Sequence, residues 1–132
     1  PLYSSAASDV YKRQDELSLI GPSRIWEAFD GQIQESVIEV ADLNLPSNTL
    51  GDITGKDAEF NADVIRRVIA GEKGPIRDTV VLNAAAGLVS ASSDVDRPLP
   101  DRLNEAIHSA EESIDSGSAH RVLQDWIRFL QD

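Results

Sequence analysis

Adjacent carboxylates at Asp15 and Glu16 form the only constellation in this 132-residue chain that suggests catalysis. Side by side they offer hard oxygen donors. In a chain with 23 acidic residues, however, neighbouring acids arise readily, and taken alone the pair reads as solvated surface. Other chemistry-bearing residues are more easily explained by structure. Lys73 and Arg77 flank a helix start, as an anion site would require, but Glu72 and Asp78 stand among them. Thr54-Gly55-Lys56-Asp57 imitates a phosphate loop and is better suited to capping a helix. His108 and His120 have no second histidine at ligand spacing, and Trp26 and Trp126 are isolated aromatics suited to packing rather than a base-stacking platform. Without cysteine there are no disulfides and no thiolate metal sites.

The elements that must position these residues follow from periodicity and turn chemistry. Arg24-Ile-Trp-Glu-Ala-Phe29 and Gln32-Ile-Gln-Glu-Ser-Val-Ile-Glu-Val40 gather strand formers around Asp30-Gly31, a dipeptide made for a type I′ turn, so a β-hairpin is predicted. Residues 42–48, with Pro46, read as a loop. Phe60, Val64, Ile65, Val68 and Ile69 then form a helical stripe, with Asp57 as its cap and Gly71 as its stop. A second helix starts at Pro75 and runs through Val80, Val81, Leu82 and Leu88. It carries so few polar residues that burial on most sides is predicted, with Ala84-Ala-Ala-Gly87 admitting the close approach of another backbone, and in an isolated fragment much of that surface is expected to be exposed. Ser90 to Pro100 reads as a polar loop, followed by a helix through Leu103 and Ile114 that ends at Gly117, and a last helix through Val122, Trp126 and Leu130.

Charge and hydropathy narrow the function. The formal charge is −11, and since residues 1–14 hold Lys12 and Arg13 against Asp9, residues 15–132 carry about −12. Such a surface repels phosphate backbones and argues against a nucleic-acid partner. No apolar run is long enough to cross a bilayer, which argues against a membrane partner. A chain that opens Pro1-Leu2-Tyr3 and contains no methionine reads as a fragment.

Three blocks in order carry a resemblance: Asp15-Glu-Leu-Ser-Leu-Ile-Gly-Pro-Ser-Arg24, the run from Asn61 to Ala86 containing Gly71-Glu-Lys-Gly-Pro-Ile-Arg-Asp78, and Ile114-Asp-Ser-Gly117. Together they resemble the C-terminal part of anthranilate phosphoribosyltransferase. The resemblance implies an α/β fold, the C-terminal part of a nucleoside phosphorylase/phosphoribosyltransferase-like catalytic domain, here a β-hairpin followed by about four helices. It also implies transfer of phosphoribosyl from phosphoribosyl pyrophosphate to anthranilate, in an enzyme of tryptophan biosynthesis that is cytoplasmic and homodimeric when intact.

By the same resemblance Asp15 and Glu16 are expected to hold Mg²⁺ as ligands rather than to act as acid or base, and the turn around Lys73 is expected to be structural. Hard carboxylate oxygens suit that ion, which commonly keeps water and substrate phosphate in its shell. The family's glycine-rich phosphate loop and its anthranilate contacts are expected upstream of Asp15, so this stretch alone is expected to be inactive. Lys56, Phe60 and Ile20 depart from the family's usual glycine, glutamate and threonine. Residues 15–132 are accordingly assigned to the catalytic domain. Residues 1–14 show no such likeness, resemble translated sequencing-adaptor read-through, and are expected to be non-native. Alternatives are a related phosphoribosyltransferase-like or nucleoside phosphorylase-like protein, a nucleic-acid-binding relative, or a helical interaction module. A fusion to an amidotransferase domain is a further arrangement open to the parent.

Overall fold

The computed structural model of the chain describes residues 6–7 and 16–131. Its sheet has three antiparallel strands in the order β1 (Ala6–Ala7), β2 (Ser23–Phe29) and β3 (Gln32–Ile38). β2 and β3 form the predicted hairpin. Asp30 and Gly31 take φ of 47° and 74°, the two positive values a type I′ turn needs, and the register pairs Phe29 with Gln32 and Ser23 with Ile38. β3 ends before Val40 because Val40–Asp42 tightens into a 3₁₀ turn, the Asp42 carboxylate accepting the Glu39 N–H at 2.9 Å. A second 3₁₀ turn, Leu50–Ile53, breaks the connection that follows. β1 was not expected. It places Ala6 opposite Trp26 and Ala7 opposite Ile25 within the stretch set aside as non-native. Peptide groups can build such a ladder whatever side chains they carry, so no residue pattern announces it.

Four helices follow, α1 (Ala58–Ile69), α2 (Pro75–Ala91), α3 (Leu99–Asp115) and α4 (Ser118–Phe129). Asp57 caps α1 by accepting the Phe60 N–H at 2.9 Å. Gly117, at φ 75°, makes the left-handed joint between α3 and α4. The predicted loop of residues 90–100 is shorter than expected. α2 runs on to Ala91, and Pro98 and Pro100 lie at the start of α3, where the missing N–H of a proline is tolerated.

The core gathers Leu19 and Ile25 from the N-terminal half with Val81, Leu82 and Ala85 of α2 and Leu103 and Ile107 of α3. Arg102 ties this core to the sheet, its Nη2 donating to Glu27 Oε1 at 2.7 Å and its Nε to the Arg97 carbonyl at 2.9 Å. Much of α2 is exposed, as expected of the fragment: Val80, Ala84, Gly87 and Leu88 face outward, and a Cβ added at Gly87 would meet nothing within 4 Å. Within the run of small residues Ala85 is buried and Ala86 is partly buried against the core. One expectation is corrected: Trp126 does not pack, since the apolar stripe of α4 faces solvent.

Candidate functional site

Asp15 lies outside the described residues. Glu16 is exposed and forms no hydrogen bond or ion pair with another described residue. The chain beside it is held firmly. Leu17 and Leu19 are buried, and their backbone is fastened to one face of α2. Asn83 Oδ1 accepts the Leu17 N–H at 3.0 Å while Asn83 Nδ2 donates to the Leu17 carbonyl at 2.9 Å and to the Thr79 carbonyl at 2.9 Å. The Leu19 carbonyl accepts the Asn48 N–H at 2.8 Å. Asn48 Nδ2 in turn donates to the Pro75 carbonyl at 3.0 Å and to Thr79 Oγ1 at 3.3 Å. Between these fastenings Ser18 Oγ accepts the Ile20 N–H at 3.1 Å.

Pro75, Thr79 and Asn83 are spaced i, i+4, i+8 and so lie along one side of α2. Asn83 and Asn48 went unnoticed in the sequence. The available signal was an asparagine in the middle of an apolar helical run, where it disfavours the helix and needs partners for its buried polar atoms.

The basic turn is committed elsewhere. Arg77, 1% exposed, donates from Nη1 to Asp115 Oδ1 at 2.7 Å and to the Gly71 carbonyl at 3.3 Å, and Lys73 Nζ reaches Asp115 Oδ2 at 3.0 Å. These contacts join the start of α2 to the end of α3. The Arg77 guanidinium, with Lys73 second, pulls the Asp115 carboxyl from its ordinary 3.8 to about 2. The same carboxylate raises the Arg77 pKa, opposed by burial. Asp78 is pushed up, first by burial and then by Glu111. The turn is therefore a brace between two helices.

The remaining candidates serve structure or face solvent. Asp57 is the cap of α1, and the Lys56 ammonium sits 4.6 Å from the centre of the Phe60 ring. His108 and His120 are exposed. Among the described residues no three His, Cys, Asp or Glu side chains gather as a metal site, and no helix is long and apolar enough to cross a membrane. The arrangement thus presents an exposed carboxylate, without a partner among the described residues, beside backbone that is pinned to α2. A carboxylate in that position can accept a hydrogen bond or contribute one hard ligand to a divalent cation.

Comparison with known proteins places this architecture. An anthranilate phosphoribosyltransferase of Leifsonia xyli is 48% identical over 118 residues, covering 86% of this chain and 34% of the relative. The chain thus spans about a third of that relative's length. The crystal structure of anthranilate phosphoribosyltransferase from Thermus thermophilus superposes with a TM-score of 0.80 at 28% identity, over 98% of this chain and 36% of that one. The Saccharomyces cerevisiae anthranilate phosphoribosyltransferase, solved in complex with PRPP and Mg, shares the fold at a TM-score of 0.74 and 23% identity, over 92% of this chain and 33% of its own. The family model described as the glycosyl transferase family, a/b domain, matches residues 5–120. By that match, together with the hairpin and four helices it shares with these neighbours, the chain belongs to the glycosyl transferase family, a/b domain.

Proposed function

We propose that this chain forms the C-terminal third of an enzyme that transfers phosphoribosyl from phosphoribosyl pyrophosphate to anthranilate, giving N-(5-phosphoribosyl)anthranilate and diphosphate for tryptophan biosynthesis. The observation that carries the reading is the 48% identity to a relative named for that activity. In the reaction the anthranilate nitrogen bonds to the anomeric carbon while the bond from that carbon to diphosphate breaks, and the nitrogen gives up a proton. The proposal places the intact enzyme in the cytoplasm as a homodimer, with no nucleic-acid or membrane partner.

Asp15 and Glu16 are the proposed Mg²⁺ ligands. What supports this is the chemistry of the donors: Glu16 offers an exposed carboxylate with no competing partner among the described residues. When bound, the ion would offset charge on the leaving diphosphate. The work of this chain's own residues is to present the Glu16 carboxylate from a backbone that cannot drift, because Leu17 and Leu19 are buried and hydrogen-bonded to fixed partners. Binding of the two substrates is assigned to polypeptide upstream, so the 132-residue chain alone is expected to be inactive.

The test uses the enzyme expressed from the full parent gene, following the loss of anthranilate fluorescence across a magnesium titration. Asp15→Asn and Glu16→Gln keep nearly the same volume and remove charge. Each should lower the rate on the order of 10²-fold if the ligand acts in the transition state. Wild-type rate and magnesium dependence in both variants would return the pair to solvated surface. Turnover by the 132-residue chain alone would show that the active site has been misplaced.

A further inference from the structure

We propose that Asn83 is a positioning residue for Glu16, gripping the Leu17 peptide from α2 and so setting where the neighbouring carboxylate is presented. The purpose of the grip rests on the reading of Glu16 as a cation ligand. The grip itself is testable without it.

A carboxamide carries an acceptor and two donors in one plane, and Asn83 uses all three roles. Its oxygen takes the Leu17 N–H at 3.0 Å, one donor reaches the Leu17 carbonyl at 2.9 Å, and the nitrogen also bonds the Thr79 carbonyl at 2.9 Å. Leu17 thereby receives both bonds that an adjacent β-strand would supply. The bond to Thr79, one turn back on α2, holds the carboxamide against its own helix, so its orientation is set by α2. The gripped N–H belongs to the planar peptide unit that contains the Glu16 carbonyl and Cα. Fixing that plane fixes the point from which the Glu16 side chain departs. Asparagine is a poor choice for the middle of an apolar helix on propensity alone, which points to the contact as the reason for it.

Asn104 of α3 supplies an internal control. It grips another stretch of backbone in the same manner, accepting the Asn44 N–H at 2.8 Å and donating to the Asp42 carbonyl at 2.8 Å, and neither partner adjoins Glu16. Replacing either asparagine with alanine removes the same kind of bond. Only one replacement should disturb Glu16.

The experiment uses the isotopically labelled 132-residue chain, with Mn²⁺ as a paramagnetic probe of the carboxylate. In Asn83→Ala, exchange of the Leu17 amide should quicken about tenfold, the loss expected for one partly buried hydrogen bond. Mn²⁺ should broaden the amides of Glu16, Leu17 and Ser18 in the unaltered chain, and several times more of it should be needed in Asn83→Ala. Asn104→Ala should lower thermal stability comparably and leave both readings where they were. Unchanged Leu17 exchange in a folded Asn83→Ala chain overturns the proposal, as does an equal shift of the Mn²⁺ titration in Asn104→Ala. If Asn83→Ala does not fold, Asn83→Leu, which keeps nearly the same volume and loses both the acceptor and the donors, carries the same exchange measurement. Absence of Mn²⁺ broadening in the unaltered chain sinks the cation reading of Glu16, and Leu17 exchange then decides the grip by itself.

Discussion

Glu27→Gln should destabilise the fold by about 2–3 kcal/mol, because it leaves the Arg102 guanidinium without a counter-charge. Arg102 is 7% exposed and the Glu27 side chain 14%, and their contact at 2.7 Å bridges α3 and β2. Removing one member of a buried ion pair costs roughly 3–5 kcal/mol when the other is stranded. Here the loss is smaller, since Arg102 keeps its bond to the Arg97 carbonyl and the new carboxamide oxygen can still accept a hydrogen bond. Arg102→Met strands the Glu27 carboxylate instead, which at 14% exposure reaches more solvent than the guanidinium at 7%, and should cost about 1–2 kcal/mol. Combining the two changes removes both charges, so the double variant should be more stable than the sum of the single losses predicts, by about 1 kcal/mol or more. Urea unfolding followed by the fluorescence of Trp26, the residue next to Glu27 in β2, measures all four proteins. A loss below about 0.5 kcal/mol for Glu27→Gln, or strict additivity in the double variant, would refute the reasoning.

Acid should selectively weaken the brace at the end of α3. Asp115 titrates at about 2 when folded against 3.8 ordinarily, so its contribution is complete above roughly pH 4 and is lost as the pH falls through 2. The difference in melting temperature between the wild-type chain and Asp115→Asn should therefore shrink from pH 4 to pH 2, and a constant difference would count against the brace. Among the described residues, deleting residues 1–14 removes the two pairings of β1 at the edge of the sheet, and it should cost less than about 1 kcal/mol in urea unfolding. The family match starts at residue 5, so a larger loss would mark that segment as an integral part of the domain.

What could be read in the sequence was whatever acts over a few residues. Asp30-Gly31 announced its turn because few residue pairs accept two positive φ values, and Asp57 and Gly117 announced helix ends for similarly local reasons. The extent of α2 was harder to read: apolar residues all around a helix say that it is to be covered, without saying by what, and Val80 and Leu88 are uncovered here. At the candidate site, the Asp15-Glu16 pair was legible only through its neighbours in sequence. Asn83, which holds the next residue, was not, since a grip between residues 66 apart leaves no periodic trace. Nor could the sequence pair Arg77 with Asp115, or show that one acid among many would be drawn to a low pKa.

Three of the bonds that hold the N-terminal half are very distant in sequence: Leu17 to Asn83 spans 66 residues, Asn44 to Asn104 spans 60, and Glu27 to Arg102 spans 75. α2 and α3, by contrast, are separated only by the seven residues 92–98. Closing a loop of 66 rather than seven residues costs about 2 kcal/mol more in chain entropy. The helical pair should thus assemble first, and the hairpin and the Leu17 segment should dock onto it late and leave it early. Synthesis imposes the same order, because residues 16–48 emerge from the ribosome before the helices that receive them. Glu16 is made early and reaches its place only once Asn83 has been made and folded into α2.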